Sequence, residues 1–196
     1  MALVTPVETD GRRLRSQDSR ARIVAAMLAL TREGARSPSA EQVAIRAGVG
    51  LRTVFRHFSD MESLYREMHD AIEAELRAAA AQPFRGATWR ERVLELIERR
   101  AAGFEVIAPF RRAADLRRPA SPQLQAAHAE LAEALREILT RIAPAAVRGD
   151  KARFEALDLL LSYEAWSRLR DDQGLTPPQA RAALACAVTA LIGPED

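Results

Sequence analysis

The strongest constraint on this chain is that helix-start and helix-stop signals punctuate nearly all of it. Between them, no stretch shows sustained period-2 alternation of β-branched residues. Ile23, Met27 and Leu30 repeat at i, i+4, i+7, and Gly34 follows as a stop. Ser39 with Gln42 is a capping-box pair opening a short helix to about Ala47. Gly48-Val49-Gly50 reads as a turn, and a third short helix is expected from Leu51 to about His57. Asp60 caps a long helix striped by Met61, Leu64, Tyr65, Met68, Ile72 and Leu76. Thr88 with Glu91 opens the next helix, and a separate helical stretch, interrupted by Pro109, is expected from Phe104 to about Leu116. Ser121-Pro122 starts a helix that ends at Pro144, Asp150 one to about Arg170, and Thr176-Pro177 the last. The expected fold is all-α, with nine helices in two parts: an N-terminal helix-turn-helix domain and a helical regulatory domain.

Composition narrows the function classes. Of 196 residues, 48% are apolar and 29% charged, the balance of a soluble globular chain rather than a disordered one. No apolar run approaches the ~18–20 residues of a bilayer span, and Met1 to Arg15 has no secretory-type apolar core, so no membrane partner is expected. Cys186 is the single cysteine, which excludes an internal disulfide and a multi-cysteine zinc site; a reducing, cytoplasmic address is expected. Three histidines, His57, His69 and His128, are the only imidazole bases, and no glycine-rich phosphate loop, H-E-x-x-H or nucleophile elbow is present. An enzyme is therefore not expected, and no catalytic residue, metal ligand or cofactor is assigned. Residues 1–60 hold ten arginines against six acids, an excess that suits an anionic partner or a solvated charged face.

The segment 39–58 decides between these. Ala44 is small where a second helix must cross closely, and Gly48 sits where the chain reverses. Val43, Ala47 and Val49 fill the angle between the helices. Leu51, Val54 and Phe58 repeat at i, i+3, i+7 and should face inward, leaving Arg52, Thr53, Arg56 and His57 facing out. Two arginines, a hydroxyl and an imidazole on the free face of a short helix suit a major groove lined by phosphates and base acceptors. Two short helices with ordinary surface arginines are the competing reading of the helix pair alone.

The flanks extend the pattern. The run from Gly34 through Ser39, Val43-Ala44, Ala47-Gly48-Val49-Gly50, Thr53-Val54-Phe55-Arg56-His57-Phe58, Asp60, Glu62 and Leu64 closely resembles the N-terminal domain of the tetracycline-repressor (TetR) family of bacterial transcription regulators. The likeness spans roughly residues 19–66. It implies a homodimer on a near-palindromic double-stranded DNA operator, released when a small molecule of unknown identity enters the C-terminal domain. It places Leu51, Arg52, Thr53, Phe55, Arg56 and His57 on recognition-helix positions, and Ser39 where the family contacts phosphate. Arg52, nearer the helix start, is favoured over Arg56 for reading a base. Two residues depart from the family: Phe55 replaces a usual tyrosine and Met61 a usual lysine. Both substitutions predict weaker non-specific affinity. They are also the only support for the alternative function, a dimeric helical binding module that has lost DNA affinity and acts through protein or small-molecule contacts. Domains are placed at 1–17, a flexible basic arm with Arg12, Arg13 and Arg15; 18–60, the helix-turn-helix; and 61–196, for ligand binding and dimerisation. A tail with incidental charge is the competing reading of the arm.

Two sites are expected in the C-terminal part. From Ala180 to Ile192 only Arg181 and Thr189 are polar, so this helix is apolar nearly all round and must be covered on every side. Leu157, Leu159, Leu160 and Leu161 point around the helix before it. Leu157, Leu161, Ala180, Ala183, Leu184, Ala187 and Leu191 are the expected faces of a four-helix dimer interface, with Cys186 a buried apolar filler. The competing reading is one helix central in a monomer. The candidate ligand pocket is Phe104, Ile107, Phe110, His128, Tyr163 and Trp166, for each of which ordinary core packing competes.

Overall fold

A computed structural model describes residues 8–115 and 118–193, with side chains from Arg13 onward. Among the described residues the chain forms ten α-helices and no strand. They are α1 Glu8–Arg32, α2 Ala40–Ala47, α3 Leu51–His57, α4 Met61–Ala80, α5 Trp89–Asp115, α6 Pro122–Ile142, α7 Ala145–Gly149, α8 Lys151–Leu160, α9 Tyr163–Ser167 and α10 Pro177–Ile192. A 3₁₀ turn at Arg118–Ala120 precedes α6, and a π turn at Arg168–Asp172 follows α9.

Two compact units divide at Arg77/Ala78 rather than at 60/61. The physical reason is α4: its stripe Leu64, Tyr65, Met68 and Ile72 is buried. Its outer turns are tied to α1 as well, since Arg20 Nε donates to Glu67 Oε1 at 2.9 Å and Arg32 lies 3.8 Å from Glu75. Helix α1 spans Glu8–Arg32, so Arg13 and Arg15 lie exposed on a helix, where a flexible arm was expected over 1–17; residues 1–7, and the side chain of Arg12, lie outside the described residues. Good helix formers such as Glu8, Leu14 and Gln17 surround the single Gly11 there. In this first unit Ile23, Met27, Val43, Ala44, Val54, Phe58 and Leu64 are buried together as the core.

The second unit departs from expectation at two helices. Helix α5 runs unbroken through Pro109, so the segment from Phe104 to Asp115 is its second half, while Leu116 lies outside the described residues. The missing N–H of Pro109 costs one bond, but Phe104, Ile107, Phe110 and Ala113 are buried along one side and hold the helix in register. Conversely, the helix expected over 150–170 is split. Leu161 ends α8, and the Ser162 hydroxyl accepts from Ala165 N at 3.2 Å to start α9. Arg100 reaches this break: its guanidinium donates to Leu161 O and Leu135 O, each at 2.5 Å. Burial pushes Arg100 down to about 10, which leaves it cationic at neutral pH. The short α7 after Pro144 was not legible as a separate element.

Candidate nucleic-acid interface and regulatory site

The geometry of α2 and α3 follows from local chemistry. The Ser39 hydroxyl accepts from Gln42 N at 3.3 Å, and Gln42 Oε1 accepts from Ser39 N at 2.8 Å, completing the capping box. Ala44 O accepts from Val49 N at 3.0 Å, and Gly48 adopts φ +64, which closes α2 and turns the chain. Helix α3 then presents one buried face and one open face. Val54 and Phe58 are buried at 1% and 2%, whereas Leu51, expected inward, is 38% exposed at the first turn. Leu51 lies one turn before Val54, at the edge of the core, so it joins the outward set.

That outward set is Leu51, Arg52, Phe55 and Arg56, all exposed, with Thr53 half-buried. Among the described residues no hydrogen bond or ion pair engages Arg52 or Arg56. His57 is different: its imidazole is half-buried, and its Nε2 is buried without a partner among the described residues. It is therefore not the fully outward side chain expected. Burial, reinforced by Arg56 and Arg20, holds its pKa below the ordinary histidine value. Asp60 carboxylate accepts from Ser63 N at 2.7 Å and starts α4, leaving Met61 half-buried.

Sequence reasoning missed Arg20. Its Nη1 donates to the His57 carbonyl at 2.7 Å, its guanidinium lies 4.4 Å over the Phe58 ring, and Glu67 pairs with it. A cation at the C-terminus of α3 satisfies the His57 carbonyl and opposes the negative end of the helix. Arg20 is thus the positioning residue that fixes α3 against α1 and α4. No spacing rule links residues 37 positions apart, so the sequence carried no signal for it.

In the second unit five of the six expected pocket residues, Phe104, Ile107, Phe110, Tyr163 and Trp166, are buried, and His128 is half-buried. Phe104 and Tyr163 meet edge to face at 5.6 Å, and the Arg111 guanidinium lies 4.9 Å over Tyr163. Trp166 Nε1 donates to Glu105 Oε1 at 2.9 Å, an oxygen that also accepts from Arg170 Nε at 2.9 Å. His128 Nδ1 stands 2.7 Å from Arg111 Nη2 and 2.9 Å from Arg118 Nη1. Arg111 and Arg118 were missed in sequence, although Arg100, Phe104, Ile107 and Arg111 share one α5 stripe at i, i+4, i+7 and i+11. No group of three or more metal-ligating side chains occurs among the described residues.

The expected dimer face is corrected by burial within one chain. Leu157, Leu161, Ala180 and Leu184 are at 0%, 1%, 0% and 5% exposure, so the chain's own core already covers them. Ala180, Leu184 and Val188 repeat every four residues and define the inward side of α10. Ala183, Ala187 and Leu191 are half-buried on its flanks, while Ala182, Cys186 and Ala190 are exposed on its outer side. Cys186 is thus not a filler of this chain's core. On α8, Leu159 is 67% exposed.

Comparison with known proteins agrees with these features. Residues 23–68 match the family described as bacterial regulatory proteins, tetR family. A transcriptional regulator from Rhodococcus sp. Rha1 has a similar structure (TM-score 0.68, 20% identity, covering 88% of this chain and 95% of that one). So has a tetR-family transcriptional regulator from Streptomyces coelicolor (TM-score 0.69, 18% identity, covering 90% and 81%). A transcriptional regulator of the TerR/AcrR family from Aquifex aeolicus VF5 follows (TM-score 0.61, 16% identity, covering 89% and 99%). No curated protein sequence matches the chain. Residues 23–68, with the helix-turn-helix of α2 and α3 at their centre, thus match the tetR family of bacterial regulatory proteins, and the chain as a whole shares the fold of these regulators.

Proposed function

We propose that the chain is a transcription regulator that binds a near-palindromic operator as a homodimer and leaves it when a small molecule occupies residues 78–196. Repression by occupancy is the mode of action this reading favours. The observation that carries it is the open face of α3, where Arg52 and Arg56 stand exposed and unengaged beside Phe55. Unpaired guanidiniums on a short helix, braced at its C-terminus by Arg20, are free to donate bidentate bonds to guanine O6 and N7 or to phosphate. Thr53 and the Ser39 hydroxyl supply neutral phosphate contacts, and Phe55 an apolar one to a thymine methyl. The dimer reading rests on the outer side of α10, where Ala182, Cys186 and Ala190 offer close approach, together with exposed Leu159 on α8.

Hydroxyl-radical footprinting on DNA selected from the source genome tests the proposal. Two protected half-sites related by a dyad, about one helical turn apart, are expected. A single short protection, or none, contradicts the dimeric operator reading and favours a helical module that works without DNA.

A further inference from the structure

The contacts of His128 are chemically lopsided. A neutral imidazole offers one in-plane lone pair at Nδ1, yet two guanidiniums, Arg111 and Arg118, both aim at it within 2.9 Å. One acceptor cannot satisfy two cationic donors at once. Among the described residues a third donor, Arg111 Nε, is buried with no acceptor. The neighbouring carboxylates lie toward solvent: Glu164, 3.0 Å from Arg111, is 58% exposed, and Asp115, 3.3 Å from Arg118, is 45% exposed. Arg111 itself is only 13% exposed, with its planar face over Tyr163. Donors therefore outnumber acceptors on the inner side of this cluster.

The apolar surroundings show the same incompleteness. On α6, Leu124, His128 and Leu131 lie at i, i+4 and i+7, and all three remain half-buried, as Leu135 does one turn later. The α5 side chains Phe104 and Ile107 are, by contrast, 4% exposed. An apolar stripe with a donor-rich head set within it is the pattern of an amphipathic anion site.

We propose that Arg111, Arg118 and His128 form the head of a binding site for a small organic carboxylate, whose apolar body lies along Leu124 and Leu131. This rests on the proposed effector control and names the chemical class of the effector. A carboxylate brings a negative charge and about four lone-pair positions where the imidazole brings no charge and one acceptor. Both guanidiniums turn to it, and His128 Nδ1, released beside an anion, is free to accept a proton. In the unliganded chain burial, then Arg111 and Arg118, hold the His128 pKa low against the opposite pull of Glu164 and Asp115. Binding near neutral pH is therefore coupled to proton uptake.

Titration calorimetry of the full chain at pH 7.5, in HEPES and in Tris, with octanoate and benzoate against octanamide and benzamide, tests this. At least one carboxylate is expected to bind tenfold or more tightly than its amide, with buffer-dependent heat that reports proton uptake. Arg111→Gln and Arg118→Gln should each weaken it about tenfold. His128→Gln, which keeps an acceptor, should bind within a few-fold but lose the proton uptake. Equal binding of acid and amide, no binding of any probe at millimolar concentration, or affinities unchanged in both arginine variants would overturn the site. A parallel titration onto the protein–DNA complex separates the two claims. Carboxylate binding that leaves DNA bound contradicts effector control and not the site. DNA release by a neutral compound, unaffected by the cluster variants, contradicts the site and not effector control.

Discussion

Arg52, Arg56 and His57 sit within six residues on one short helix, yet their surroundings assign them different work. Arg52 and Arg56 are exposed and unengaged, whereas His57 is half-buried and lends its carbonyl to Arg20. Arg52→Ala is accordingly expected to cost about 1–3 kcal/mol on selected DNA and to relax preference at one position per half-site. Fluorescence anisotropy on a panel of single-base operator variants reads this directly, and an equal loss on scrambled DNA would make Arg52 a phosphate contact. Two histidines also predict a pH dependence. His57 and His128 both have folded pKa values below the ordinary one, His128 chiefly through burial. As pH falls, the unfolded chain takes up these protons first, so the stability present above about 6.5 is lost as pH drops toward the folded values. Urea midpoints at pH 7.5 and 5.5 should therefore fall less far apart in His128→Gln than in the parent chain. The residue types of the α3 face were legible in sequence; the half-burial of His57 and the exposure of Leu51 were not. Both depend on where the core of the first unit stops, and a helical period does not encode that boundary.

Elements that carry their own punctuation were read correctly. Ser39 with Gln42, Ser121 before Pro122 and Thr176 before Pro177 each start the helix that their chemistry demands. Helices whose limits depend on distant packing were not. Pro109 was expected to break a helix that the buried side of α5 holds together, and Ser162 starts a helix inside a segment expected to be continuous. The α2–α3 turn offers the clearest test at this scale. Gly48 has φ +64, but a Cβ built there meets open space, so any penalty is conformational rather than steric. Gly48→Ala should destabilise the chain by about 1–2 kcal/mol, seen as a lower urea midpoint, and Gly48→Asn should cost less. Equal midpoints for Ala and Gly at this position would mean that the left-handed turn does not limit stability.

At the scale of the whole molecule, the amphipathic logic that found α10 also misassigned its faces. An all-apolar helix reads as needing cover all round, and the sequence cannot say which side its own chain covers. Burial answers that: Ala180, Leu184 and Val188 turn inward, while Ala182, Cys186 and Ala190 turn out. Because Ala182 is exposed in the single chain, Ala182→Arg should fold normally by circular dichroism yet sediment as a monomer. A dimer that persists in this variant would place the proposed interface elsewhere. The proposed ligand head at Arg111, Arg118 and His128 was only half legible for a related reason. His128 stands out on an apolar stripe, but the arginines that converge on it come from α5 and from the 3₁₀ turn.

Sequence-specific DNA binding through α3 is read by equilibrium fluorescence anisotropy of the full chain on selected and scrambled DNA, across a salt series. Selected DNA is predicted to bind about 10³-fold or more tightly at physiological salt, with both affinities falling as salt rises. Equal, weak binding to both DNAs at every salt concentration would mean that α3 does not read DNA sequence.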